Sequence, residues 1–287
     1  MKVKLASNYG FCFGVKRAIK IAESYENSST MGPLIHNQDE INRLRNDFNV
    51  GLYENLEDIK DNDTVIIRTH GIPKNDLKNL RKQNVKVINA TCPFVTTPQQ
   101  IVKKMSKEEY SILIFGDADH PEVKGVQSYG EDQEDVHIVL EPSDLENIEF
   151  KYSKIATVAQ TTKKKEKYLE IVNSLILKKK EVRVFNTICD ATFENQDAAR
   201  ELSNQVDVMV VIGGKNSSNT KQLHSICKEN CEDSYLIENE NEIDKEWFTN
   251  KKLCGITAGA STPDWIIQQV VNTIEKVWLN NLSILFV

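Results

Sequence analysis

Again and again along this chain a short run of apolar, mostly β-branched residues breaks into a loop of glycine and small polar residues. Most of these loops then pass into a helical pattern. Val65-Ile66-Ile67 runs into Arg68-Thr69-His70-Gly71 and a helix expected near 74–83. Val85 to Ile88 leads to Ala90-Thr91-Cys92-Pro93 and a helix near 95–108, and Ile112 to Phe115 leads to Gly116-Asp117-Ala118-Asp119-His120. Ile155 to Val158 and Val182 to Phe185 precede helices near 164–178 and 193–204, and Val208 to Ile212 precedes Gly213-Gly214 and a helix near 220–229. Leu253 to Ile256 precedes Thr257-Ala258-Gly259-Ala260-Ser261, with Pro263 suited to the first turn of a last helix. Strands alternating with helices at this pitch require parallel sheets covered on both faces. In such sheets ligands bind beyond the carboxyl ends of the strands, where almost every unusual polar residue of this chain falls.

Three cysteines share one local setting. Cys12 sits in Gly10-Phe11-Cys12-Phe13-Gly14, Cys92 in Ala90-Thr91-Cys92-Pro93 and Cys189 in Thr187-Ile188-Cys189-Asp190, each in a loop just before a helix. A helix N-terminus offers N–H groups and the positive end of its dipole, and both favour a thiolate. Their spacing suits one small α/β unit each, so three similar modules are expected over 1–91, 92–188 and 189–287. Cys227, Cys231 and Cys254 lie on a helical stretch and inside a strand, where a buried small hydrophobe is the simpler role. Converging thiolates could hold zinc, closed by a histidine or by bound water, or a four-iron cube with one iron lacking a protein ligand. The residues alone leave both open.

Three of the five histidines also stand in such loops: His36, His70 and His120. His137 and His224 lack that setting. Glu122 follows His120 across Pro121, and a carboxyl in a pocket can hold a proton near neutrality and deliver it. Lys215-Asn216-Ser217-Ser218-Asn219, Gln160-Thr161-Thr162 and Ala258-Gly259-Ala260-Ser261 place small neutral donors at strand ends, a natural anion cradle. Helix capping explains any one of these loops equally well; three of them together with histidines fit a diphosphate. The Gly-x₄-Gly-Lys-Ser/Thr pattern of nucleotide hydrolases is absent.

With 287 residues and a formal charge of −6, the chain can bury a sizeable core and is not a broad basic nucleic-acid binder. No apolar run suits a signal peptide or a membrane span, so a cytoplasmic protein without a membrane partner is expected. The apolar tail from Leu282 to Val287 is expected to form a short strand or a docked terminus.

The ordered set Gly10-Phe11-Cys12-Phe13-Gly14-Val15, Thr69-His70-Gly71, Ala90-Thr91-Cys92-Pro93, His120-Pro121-Glu122-Val123, Gln160-Thr161-Thr162, Lys215-Asn216-Ser217-Ser218-Asn219 and Thr257-Ala258-Gly259-Ala260-Ser261 closely resembles the 4-hydroxy-3-methylbut-2-enyl diphosphate reductase family, the last enzyme of the methylerythritol phosphate route to isoprenoids. Phe13 stands where many members have alanine. The resemblance implies an α/β trefoil of three modules around a central [4Fe–4S] cluster with Cys12, Cys92 and Cys189 as ligands. It implies that His36, His70, His120, Thr161, Ser217, Ser218, Asn219 and Ser261 surround the substrate, and that Glu122 donates a proton. The implied reaction is reductive dehydroxylation of the allylic diphosphate, its hydroxyl bound at the open iron, giving isopentenyl and dimethylallyl diphosphate. Its electrons would come from an external donor of ferredoxin or flavodoxin type. The competing readings are a zinc-dependent hydrolase with three thiolates plus water, and a non-enzymatic module that binds a phosphometabolite or senses redox state.

Overall fold

The computed structural model describes residues 1 to 284. In chain order its elements are β1 (Lys2–Leu5), α1 (Phe13–Glu23), β2 (Ser29–Met31), α2 (Gln38–Phe48), β3 (Gly51–Tyr53), β4 (Thr64–Ile67), α3 (Lys74–Leu80), β5 (Lys86–Asn89), α4 (Pro93–Lys107), β6 (Ser111–Phe115) and α5 (Pro121–Gln127). They continue with β7 (Val136–Val139), β8 (Lys154–Ala159), α6 (Lys165–Lys178), β9 (Glu181–Val184), α7 (Asp190–Ser203), β10 (Val208–Ile212), α8 (Ser218–Asn230), β11 (Ser234–Ile237), β12 (Leu253–Ala258) and α9 (Asp264–Ile284). Short 3₁₀ turns join several of them. Leu282 to Ile284 belong to α9 rather than to a strand, and Leu285 to Val287 lie outside the described residues.

The strands form three four-stranded sheets, ordered β3-β2-β4-β5, β7-β6-β8-β9 and β11-β10-β12-β1, and every pairing in them is parallel. The order corresponds in all three: with the last sheet counted from β10, the first strand lies second, flanked by the next strand on one side and by the third and fourth on the other. Only the last sheet departs in connectivity, because its fourth strand comes from the start of the chain. Lys2 stands opposite Leu253 and Leu5 opposite Ile256. By strand pairing, therefore, Lys2–Leu5 joins residues 208–258 and not the residues that follow it. Each cysteine of interest comes after the fourth strand of a sheet: Cys92 after β5, Cys189 after β9 and Cys12 after β1.

By internal contact the chain divides into two compact units, one of Met1–Val15, Ile35–Asn42 and Asp190 onward, the other of Lys16–Leu34 and Arg43–Cys189. The first holds the sheet of β1, β10, β11 and β12. Val208, Val210 and Ile212 face α9 through Ile266, Ile267, Val270 and Ile274, while Met209 and Val211 face Ala199 and Leu202 of α7 and Leu223 of α8. Alternate residues of one strand thus enter opposite cores, which is why β10 reads as an unbroken apolar run. The second unit holds the other two sheets. Helix α4 leaves the first of them after β5 and covers the second, packing Val102 and Met105 against Ile112, Ile114, Ala156 and Val158. Among the described residues no helix is long and apolar enough to cross a membrane.

Candidate active site

The polar residues singled out in the sequence fall on corresponding loops of the three sheets. First-strand loops carry His36 after β2, His120 after β6 and Ser217 after β10. Third-strand loops carry His70 after β4, Thr161 after β8 and Ser261 after β12, and the fourth-strand loops carry the cysteines.

In the second unit these loops are cross-tied. The Cys92 N–H donates to the Thr69 carbonyl at 3.0 Å, which sets the Cys92 loop beside the His70 turn. Cys92 caps α4 and Pro93 opens it, a position where the missing N–H costs nothing. Arg17 donates to the Thr91 and Asn89 carbonyls at 3.3 and 3.4 Å and steadies the same loop. The Cys189 N–H donates to the Thr161 carbonyl at 3.0 Å. Thr161 in turn gives its N–H to Glu122 Oε1 and its hydroxyl to Oε2, both at 2.7 Å. Glu122 is only 1% exposed. Burial pushes its carboxyl above the ordinary carboxylate range; the two Thr161 bonds and the charge of Lys163 pull the other way without overcoming it. His120 caps α5 by accepting the Glu122 N–H on Nδ1 at 3.2 Å, and its ring meets that of His70 edge-on at 5.3 Å. A protonatable acid, two imidazoles, a hydroxyl and two thiol-bearing loops are therefore joined within one unit.

The first unit gathers the remaining donors. Ser217 caps α8 by accepting the Thr220 N–H at 3.3 Å, and Ser218 opens that helix. Asn219 is 3% exposed, and neither its Oδ1 nor its Nδ2 has a hydrogen-bond partner among the described residues. An amide buried without partners is costly, and a ligand that restores them binds well. Ser261 is buried in the loop against this one: a Cβ on Gly259 would stand 2.2 Å from Thr220 Oγ1. His36 is held close by, since a Cβ on Gly214 would fall 2.2 Å from its carbonyl oxygen. Trp265 donates to Glu40 at 2.9 Å and Asn239 to Asp39 at 3.1 Å, which anchors the segment that carries His36. Gly10, at φ +74°, lets the Cys12 loop run beside β12; the Gly10 and Cys12 N–H groups donate to Ala258 and Ala260 carbonyls at 3.1 and 3.2 Å.

Cys12, Cys92 and Cys189 are partly exposed, each directly before or at the start of a helix. The other three cysteines are buried, and burial pushes the Cys227 and Cys254 thiols up to about 12. They pack in the two cores of the first unit, as expected. His137 lies 3.2 Å from Asp135 and His224 3.1 Å from the Ser234 carbonyl, both local structural contacts. Sequence reasoning passed over Arg17, Lys163 and Gln99. Lys163 stands first in a run of three lysines, and the buried Gln99, whose Nε2 would meet a Cβ on Gly71 at 3.1 Å, carries no signal beyond its helix.

A protein of Sulfurovum sp. named 4-hydroxy-3-methylbut-2-enyl diphosphate reductase is 64% identical over 96% of this chain and 100% of its own. One of Campylobacter concisus with the same name is 62% identical over the same shares. A solved structure of (E)-4-hydroxy-3-methyl-but-2-enyl diphosphate reductase, described as the terminal enzyme of the non-mevalonate pathway, aligns over 96% of this chain and 99% of its own, at TM-score 0.70 and 44% identity. That of the Plasmodium falciparum reductase aligns over 94% and 86%, at TM-score 0.88 and 28% identity. Fold, strand-end chemistry and kinship together define an α/β oxidoreductase. The family model described as LytB protein matches residues 3–275, and the chain belongs to that family.

Proposed function

We propose that this chain reductively dehydroxylates 4-hydroxy-3-methylbut-2-enyl diphosphate to isopentenyl and dimethylallyl diphosphate, with a [4Fe–4S] cluster on Cys12, Cys92 and Cys189. The observation that carries the reading is the link between acid and thiol: Glu122, buried and doubly bonded to Thr161, is one residue removed from the Cys189 loop. The donor set suits the cluster. Three partly exposed thiols stand at helix starts, open to a cluster, whereas burial raises the pKa of the three core thiols. When bound, such a cluster supplies electrons one at a time and a Lewis-acidic iron.

The chain's own groups do the rest. Ser217, Ser218, Asn219, Ser261 and His36 bind the diphosphate through neutral donors and imidazole, and the partnerless Asn219 amide gains its bonds only then. That grip fixes the allylic end of the substrate. Glu122 holds a proton through Thr161 and gives it to the departing hydroxyl, with His120 and His70 beside it, so that oxygen leaves as water. A second proton and two electrons complete the hydrocarbon, the electrons coming from an external carrier of ferredoxin or flavodoxin type.

The test is anaerobic isolation, metal and sulfide analysis, and assay with the allylic diphosphate and a chemical reductant. The expected result is a brown protein containing iron and sulfide that forms both products. Cys92→Ser should lose iron while keeping its fold, and Cys254→Ser should keep iron while losing about 1–3 kcal/mol of stability by burying a hydroxyl. A colourless protein with stoichiometric zinc, or binding without turnover, would refute the reading.

A further inference from the structure

We infer that Arg68 is a positioning residue for the dehydroxylation, on which this inference rests: its guanidinium clamps the turn that carries His70 and so sets where that imidazole stands in the site. Arg68 to Gly71 form one reverse turn leaving β4, with His70 as its third residue. The same two residues close it twice. The Gly71 N–H donates to the Arg68 carbonyl at 3.0 Å, and Arg68 Nε donates back to the Gly71 carbonyl at 3.2 Å. The first bond is the ordinary closure of a four-residue turn. The second is charge-assisted, comes from a side chain, and grips the residue directly after His70.

The surroundings keep the guanidinium there. Gly32 lies against it, for a Cβ at that position would fall 2.5 Å from Nη1 and 3.1 Å from Cζ. Arg68 is half-buried and has no carboxylate partner among the described residues. Arg43, Arg183 and Arg200 each pair with a carboxylate. A guanidinium taken partly out of water for one backbone carbonyl points to that carbonyl as its purpose.

The other end of the turn is fixed independently. Thr69 gives both its N–H and its hydroxyl to the Leu34 carbonyl, at 3.3 and 2.9 Å, and its own carbonyl accepts the Cys92 N–H at 3.0 Å. On its far side Gly71 is bounded by Gln99 and Thr91, since a Cβ there would stand 3.1 Å from Gln99 Nε2 and 3.3 Å from Thr91 Cγ2. Arg68 thus governs the His70 end of the turn and Thr69 the Cys92 end. The His70 ring meets that of His120 edge-on at 5.3 Å, and His120 Nδ1 accepts the Glu122 N–H. Loss of the clamp should therefore move His70 and leave the Cys92 loop in place.

The test is to solve crystal structures of the anaerobically purified wild type, Arg68→Met and Arg68→Lys, and to measure kcat/KM and metal content for each. Arg68→Met keeps an aliphatic stem and deletes the donor. Arg68→Lys keeps the charge and loses the Nε–H and the planar fork. In both, the His70 ring should leave its contact with His120 while the Cys92 N–H keeps the Thr69 carbonyl. Metal content should stay unchanged, and kcat/KM should fall about tenfold, the scale of one charge-assisted hydrogen bond. A His70 ring still against His120 in either variant, or wild-type kcat/KM in Arg68→Lys, overturns the assignment. A wild-type protein that turns nothing over overturns the reaction instead, and the ring positions still decide whether Arg68 places His70.

Discussion

At the residue scale the decisive contest is within Glu122. Two short donations from Thr161 favour the carboxylate, and burial favours the acid; burial is the larger. A carboxyl whose folded-state pKa is raised adds stability while it is protonated in both states. That contribution is complete below the ordinary value of 4.5 and is lost as pH rises through the raised folded value. Glu122→Gln carries no such proton, so its melting temperature should gain on that of wild type as pH rises above 4.5. The same variant should lower kcat by about 10²- to 10⁴-fold with metal content unchanged, the usual share of a general acid. Near-normal kcat would remove Glu122 from its role. Much of this chemistry was legible in the sequence, because cysteine, histidine and a proline-flanked acid at strand ends are rare enough to be noticed one by one. Lys163 was not, since its neighbours Lys164 and Lys165 give it the look of a solvated run, and only the fold shows its side chain turned back over Phe115.

At the scale of elements, the long apolar strands β6, β8, β10 and β12 and the helices α4, α6, α7, α8 and α9 could be read directly, since each buries two faces or one broad stripe. The three-residue strands β2 and β3 could not, nor the edge strands β7 and β11, where half the residues of each are only partly buried. Helix α2 was hidden by its charge, Gln-Asp-Glu-Ile-Asn-Arg-Leu-Arg, although it begins directly after the His36 loop. How that loop is held gives a sharp expectation. A methyl at Gly214 would stand 2.2 Å from the His36 carbonyl oxygen and 3.1 Å from its carbon, and backbone cannot yield as a flexible side chain does. Gly214→Ala should therefore cost about 2 kcal/mol or more and lower the melting temperature by several degrees. Because His36 and the Ser217 loop serve binding, KM for the diphosphate should rise more than kcat falls. A variant with wild-type melting temperature and KM would show that the two loops are not locked to each other.

At the scale of the whole molecule, three sheets of one strand order express a threefold repeat that the cysteine settings had suggested. The repeat is closed by a strand that sequence pattern could not assign: Lys2-Val3-Lys4-Leu5 is too short and too charged to declare itself, and its partner lies some 250 positions away. Nothing local records such a pairing. Its consequence reaches the first thiol, because the bonds beside β12 continue past the strand: Lys2 N–H to the Lys252 carbonyl at 2.9 Å, Ala6 to Ile256 at 2.9 Å, Gly10 to Ala258 at 3.1 Å and Cys12 to Ala260 at 3.2 Å. The N-terminal segment is thus the guide rail that delivers Cys12 to the strand ends of the first unit. Ala6 is buried midway along it, and Ala6→Pro removes one donor and leaves the Ile256 carbonyl unpaired, a loss of about 1–3 kcal/mol. Hydrogen exchange should then quicken for the amides of β12 and of Gly10 to Cys12, while those of β6 and β8, in the other unit, keep their protection. Uniform loss across all three sheets would instead mean that the two units unfold as one, and unchanged exchange at Cys12 would mean that something other than this rail holds the loop.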